Sequence, residues 1–264
     1  MFGKLLKYEF KNVNKWYLAL YTAILGLSVV IGLWASSNIK NSSNTFSHFE
    51  SQMTGGDLLF ILTVMIFGIM IAALFLSTFF LIILRFRNTV YGKEGYLTLT
   101  LPVTEHQIIL SKFLAAMIWT LLSGLTLLLS ILIVMGFYIH ATGANLTALL
   151  ADVQWREVFG HLSPFALSNF MSSVNSILLV YLAISVAQLF ENYRTAIGIA
   201  FYLVVSIVPS FLLEVSLGLS GLSSLVDVRA DYSALYTTTG YNLLTAIIFY
   251  FGTHYILKNK VNLQ

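Results

Sequence analysis

The sequence predicts an all-α polytopic membrane protein with six transmembrane helices, an N-terminal amphipathic helix in the membrane interface, and a short cytoplasmic helix between the second and third spans. Three observations predict it. Hydrophobic residues make up 58% of the chain and charged residues 9%, with a mean hydropathy of +0.85, far outside the range of water-soluble domains. The apolar residues fall in runs of about 20 or more, the length that crosses a hydrocarbon core of about 30 Å at 1.5 Å per residue. These runs lack the period-two alternation of barrel strands, and in lipid the remaining solution is the helix, which bonds every amide within its own segment.

Residues 1–16 form the interfacial helix. At about 100° per residue, Lys4, Lys7, Lys11 and Lys15 share one narrow arc, while Phe2, Leu5, Leu6, Phe10, Val13 and Tyr17 occupy the other side. A helix of this pattern lies flat with its lysines on anionic headgroups. Glu9 interrupts it, projecting from the middle of the apolar arc with no basic residue three or four places away. Either Glu9 reaches water near the helix end, or it pairs with Arg85, Arg87 or Lys112 from another segment. The run after Lys15 is span-length and Ala35-Ser36-Ser37 is a poor cleavage match, so the first span is expected to stay attached.

The spans are expected near Tyr17 to Ala35, Leu58 to Leu84, Ile108 to Tyr138, Phe165 to Phe190, Ala196 to Leu213 and Tyr241 to Leu257, forming one membrane domain over 1–264. Helix punctuation supports several boundaries. Asp57 after Gly55-Gly56 reads as an N-cap, Thr104 and Gln107 have capping-box spacing, and Ser163-Pro164 reads as N-cap and first helical position. Pro209 should kink or end the fifth span. Of the fourteen Lys and Arg, Lys40, Arg156 and Arg229 fall on one side of this layout and the other eleven on the opposite side, which places both termini in the cytoplasm. The expected location is the inner membrane of a bacterium. Without cysteine the chain has no disulfide and no thiolate metal site.

The segment Glu94 to Pro102, EGYLTLTLP, is a polar island between two spans. Arg85 and Arg87 close the second span, where the helix dipole and the lipid surface both favour cations. A turn with two glycines follows, Tyr91-Gly92-Lys93-Glu94-Gly95, and then Tyr96 to Leu101 alternates apolar and hydroxyl residues up to Pro102. A lone strand at a membrane surface has no partner edges, so a short interfacial helix is expected. An exposed tyrosine with leucines, ringed by charge, suits a docking anchor, although aromatic residues also favour the lipid interface. A second tight turn, Glu191-Asn192-Tyr193-Arg194, makes the fourth and fifth spans antiparallel neighbours.

LLKYEFK (Leu5 to Lys11), KEGYLTLTLPVT (Lys93 to Thr104), SKFL (Ser111 to Leu114) and the six-span layout resemble the permease subunits of the second family of ATP-binding-cassette exporters. The resemblance implies that the loop between spans two and three is a coupling helix seated on an ATPase, with Glu94, Gly95, Tyr96, Leu97, Thr98, Leu99 and Pro102 in contact. The turn with Glu191 and Arg194 either makes a second contact with the ATPase or merely caps two helices. It also implies two permease halves with two ATPases, hence a homodimer or a similar partner. The chain has no GxxxxGK[ST] loop, so ATP and Mg are expected on the separate ATPase and no cofactor on this chain.

Other chemistry is thin. His48, His106, His140, His161 and His254 are scattered without a helical metal pair, and no nucleophile and base pair can be proposed, so neither catalytic nor metal-ligating residues are expected. A proton- or sodium-coupled carrier would bury ionisable groups at mid-membrane, whereas the charges here gather at span ends. Ser77, Thr78, Asn169, Ser172, Ser173, Asn175, Gln188 and Ser206 are expected mainly to hydrogen-bond between helices. If the resemblance holds, spans two and five line a path, with Phe67, Phe75, Ser77, Thr78, Phe201 and Tyr202 as candidates. Aromatics and hydroxyls there suit a hydrophobic or amphipathic cargo such as a peptide. The expected partners are thus the P-loop ATPase, a second permease, membrane lipids and that cargo, with no nucleic acid. The competing class is a non-transporting membrane anchor or sensor that recruits a soluble partner through the same loop.

Overall fold

The computed structural model describes residues 3, 14–41, 55–92, 104–143, 155–190, 192–216 and 232–259, and among these every regular element is helical. In chain order they are α1 (Asn14–Asn41), α2 (Gly55–Phe86) with a π-helical turn at its end (Arg87–Tyr91), α3 (Glu105–Thr142), α4 (Trp155–Ala187), α5 (Arg194–Ser216) and α6 (Tyr232–Asn259). Five stretches are long and apolar enough to cross a membrane: Tyr17–Ser37, Ile61–Tyr91, Glu105–Thr142, Val158–Ala187 and Arg194–Leu212. That is the build of a multi-pass membrane protein. The sixth helix falls short of this measure because Thr237, Thr238, Thr239, Asn242, Thr245, Thr253 and His254 dilute its apolar residues.

Two helix starts differ from the sequence reading. Asp57 is the third residue of α2, which begins at Gly55. Ser163-Pro164 starts nothing, because α4 begins at Trp155 and runs through Pro164. Proline already has helical φ, so inside a helix it forfeits one backbone bond, here to the carbonyl of Gly160, an exposed residue. Pro209 likewise does not end α5, which continues to Ser216. The start of α3 falls where expected: the Thr104 carbonyl accepts from the amides of Gln107 at 2.9 Å and Ile108 at 3.2 Å.

The helices gather into two compact units. One comprises residues 8–79 and 118–154, and in it α1 packs on α3. Tyr17, Tyr21, Ile24, Ser28 and Ile31 form the buried stripe of α1, and Trp119, Ser123, Thr126 and Ser130 that of α3. Both repeat at the alternating three- and four-residue spacing of a helix seam. The Tyr21 hydroxyl meets Ser123 Oγ at 3.1 Å, and further along the ring of Phe137 lies where a Cβ on Gly32 would sit. Residue numbers rise together on the two helices, so α1 and α3 run parallel. Small and hydroxyl residues at the seam let backbones approach where lipid leaves no hydrophobic drive between helices.

The other unit comprises residues 1–7, 80–117 and 155–264, and α4 is its centre, packed against α5 and α6. Asn175 Nδ2 donates to Asn242 Oδ1 at 3.2 Å, Thr245 Oγ1 donates to Asn175 Oδ1 at 3.0 Å, and Gly252 leaves room for Leu182. These pairs again rise together, so α4 and α6 are parallel, while Gly198 against Ala187 and Ala183 makes α5 antiparallel to α4. Among the polar span residues named above, Asn175 bridges two helices. Thr78, Asn169, Ser173 and Ser206 instead bond to carbonyls of their own helix. A hydroxyl or an amide N–H can satisfy itself one turn back, as Asn169 does, whereas Asn175 finds Asn242 and Thr245 of α6 within reach.

Replacing Asn175 with leucine removes both interhelical bonds. Thr245 still donates to the carbonyls of Tyr241 and Asn242. The expected destabilisation is therefore modest, about 1 kcal/mol at roughly 0.6 per bond, read as a lowered midpoint of unfolding in detergent.

Candidate functional site

The end of α2 is wound to bring two aromatic side chains onto one side. In an α-helix the fifth residue past Phe86 would lie about 140° round the axis. The wider i→i+5 turn from Arg87 to Tyr91 returns it towards Phe86, and the two rings meet edge to face with centroids 6.1 Å apart. The Thr89 hydroxyl, bonded to the Arg85 carbonyl, supports the turn. Ile82, Phe86 and Val90 are buried together.

This face is fastened to α4. Phe86 stacks on Tyr181 with centroids 4.0 Å apart and rings 9° from parallel, and both side chains are 1% exposed. The Tyr91 hydroxyl donates to Ser185 Oγ at 2.8 Å, and Ser185 in turn donates to the Tyr181 carbonyl at 2.8 Å. Gly92 then turns the chain into extended geometry, φ −88° and ψ −167°. The end of α2, up to Gly92, is therefore rooted in the core of α4 through a stack and a two-step hydrogen-bond relay.

Two further features belong to the same unit and the same end of α4. The helix stops at Ala187, and the turn to α5 holds Tyr193 in the left-handed region, φ 57°, with its side chain 83% exposed. A bulky residue at positive φ is strained, and such strain collects at functional turns. Arg194 opens α5, its Nε donating to the Phe190 carbonyl at 3.1 Å. At the start of α3, His106 Nδ1 lies 2.8 Å from the Tyr250 hydroxyl, and its ring stacks on His254 of α6 with centroids 3.9 Å apart. Lys112, on the second turn of α3, is buried.

Glu94, Gly95, Tyr96, Leu97, Thr98, Leu99, Pro102 and Glu191 lie outside the described residues, as do Lys4, Lys7, Glu9 and Lys11. The backbone of Lys15 belongs to α1. The path candidates divide between the units, with Phe67, Phe75, Ser77 and Thr78 in one and Phe201 and Tyr202 in the other. Phe75 is exposed, Thr78 is buried, and Phe67, Ser77, Phe201 and Tyr202 are half-buried. The buried hydroxyl of Tyr17 makes no protein hydrogen bond.

Sequence reasoning missed Phe86, Tyr181 and Ser185 as partners of the turn at Tyr91, and it missed the joining of His106 to His254. The chain spacing of these pairs, about a hundred residues or more, carries no local signal. Tyr193 lay within a turn already singled out, but its backbone conformation is not written in its neighbours. No known protein family, characterised protein or solved structure matches this chain.

Proposed function

We propose that the chain is the permease subunit of an ATP-driven exporter resembling the second ATP-binding-cassette family. Six spans cross the inner membrane of a bacterium with both termini cytoplasmic, α6 being the sixth. The chain pairs with a second permease, expected to be a copy of itself, and the 93–103 segment seats on a separate P-loop ATPase that holds ATP and Mg. The Glu191 to Arg194 turn, with Tyr193 at its tip, supplies a second contact. This chain has no catalytic role; it converts the ATPase's closure into movement of its helices, carrying a hydrophobic or amphipathic cargo, a peptide by preference, outward.

The observation that carries this reading is the rooted segment. A docking loop transmits force only if its base is stiff, and the base here is Phe86, Tyr181 and Ser185, buried on α4, with half-buried Tyr91 bonded to Ser185. The EGYL and LP residues of the segment add the resemblance. The helix directions also support it: α2, α4 and α6 run one way, and α5, joined to α4 by a short turn, runs against it.

The test is co-purification and transport. A tagged chain should bring down a P-loop ATPase in stoichiometric amount, and proteoliposomes of the complex should move a labelled amphipathic peptide only with hydrolysable ATP. Peptide movement indifferent to ATP would end the transport reading. An ATPase partner with no transport of any cargo would favour the anchor class.

A further inference from the structure

The 93–103 segment has two ends, and the second is also fastened. Residue 104 leads directly into α3, whose second residue, His106, stacks face to face on His254 of α6, rings 12° from parallel. The His106 Nδ1 to Tyr250 hydroxyl contact at 2.8 Å adds a hydrogen bond from the same helix. The two histidines are 148 positions apart in the chain, so their meeting is wholly a product of the fold. It differs in kind from the first root: Phe86, Tyr91, Tyr181 and Ser185 are neutral near pH 7, whereas imidazoles titrate there.

We propose that His106 and His254 form a proton-responsive clasp that holds the start of α3, and with it the end of the 93–103 segment, against α6, and that acid opens it. The titratable groups facing the pair are Glu105 on α3 and Tyr250 and Lys258 on α6. One proton is tolerated. Protonated His106 can donate through Nδ1 to the Tyr250 hydroxyl, and the Glu105 carboxylate balances the charge. The second proton is not tolerated, because it sets two cationic rings face to face at 3.9 Å with the Lys258 ammonium nearby. Two imidazolium charges and one ammonium against one carboxylate leave a net +2 at a contact whose only attraction is stacking and one hydrogen bond.

The sign follows from linkage. The open state takes up the second proton more readily than the stacked state, so falling pH favours opening and rising pH favours the clasp. The second proton enters below the ordinary histidine range, because the charge on the first ring opposes it. What the release does rests on the contact reading above: an ATPase seated on the segment would push against a base fixed at both ends near neutral pH and at one end in acid. Acidification of that side of the membrane would then slow coupling without touching the ATP site.

Whether the clasp opens can be measured in the chain alone. The protein has no cysteine, so Gln107→Cys and Tyr255→Cys on the exposed faces of α3 and α6 give two unique spin-label positions. In lipid nanodiscs, pulsed dipolar spectroscopy should give one short distance at pH 7.5 and a second, longer population growing in by pH 5. In the labelled chain carrying His106→Phe and His254→Phe, which keeps two stacking rings and removes both protons, the short distance should persist at both values. If that variant fails to insert, His254→Gln alone serves, since two cationic rings can then no longer face each other and the acid-induced population should vanish. A distance distribution in the unsubstituted pair that is the same at pH 7.5 and pH 5 overturns the clasp, and so does an acid-induced population that survives in either variant. No ATPase is present in these measurements, so they stand apart from whether the segment binds one.

Discussion

Replacing Gly92 with alanine is expected to lower ATP-driven transport by about tenfold while leaving the chain inserted and assembled with its partner. A Cβ at this position would sit 2.6 Å from the Asn88 carbonyl oxygen and 3.0 Å from the Asn88 Cα. Both are backbone atoms of the π-helical turn, so no side-chain rotation relieves the clash. Overpacking of this kind costs about 1–3 kcal/mol, whereas the hydrogen bond from Tyr91 to Ser185 contributes about 0.5–1.5 kcal/mol. The cheaper relief is to let the turn rewind and Tyr91 leave Ser185.

The stack of Phe86 on Tyr181 lies before the turn and should survive, so the unfolding midpoint should move little. What changes is the stiffness of the base, and a shift of about 1.4 kcal/mol between fastened and loose is a factor of ten in their ratio. Tyr91→Phe provides the graded comparison, since it removes the hydroxyl but keeps the ring against Phe86, and its effect should be the smaller of the two. Efflux from proteoliposomes, normalised to assembled complex, is the measurement. Unimpaired transport by the Gly92→Ala protein would mean that this turn transmits nothing.

The helices were legible in the sequence because lipid imposes a length on them. Runs such as Leu58 to Leu84 must cross or aggregate, and α2 and α3 stand where composition placed them. Helix ends were less legible. Glycines before Asp57 and a proline after Ser163 are punctuation in water, but α2 and α4 run through them. The polar residues misled in a similar way, because Thr78, Asn169 and Ser206 bond to carbonyls of their own helix, while Asn175 reaches across to α6.

The candidate site was half legible. EGYLTLTLP stands out as a polar island, and Tyr91-Gly92 marks a turn at its border. That the turn is a π-helical one cannot be read from RNTVY, since one extra residue per turn leaves no compositional mark. Its hold on Ser185 and the meeting of His106 with His254 are properties of tertiary packing. Histidines judged by local spacing look scattered, and only the fold, which seats the start of α3 on α6, brings the two together.

Substituting Tyr96→Asp together with Leu97→Asp is expected to abolish assembly with the ATPase, weakening it by about a thousandfold. If Tyr96 and Leu97 are the anchors of the contact, each truncation would remove about 2 kcal/mol or more of binding, and each aspartate would add the cost of taking a carboxylate out of water without a partner. About 4 kcal/mol is close to three powers of ten in Kd. The lipid alternative predicts otherwise, because an aspartate on a segment that only rests against headgroups would move into water at little cost and leave any ATPase bound. Tyr96→Phe with Leu97→Met separates shape from chemistry, keeping apolar bulk in both places, and should retain most of the assembly. Capture of the purified ATPase by the immobilised chain, with the unfolding midpoint checked for both double variants, decides between the two. A doubly charged variant that still binds and still transports would place the contact somewhere other than this segment.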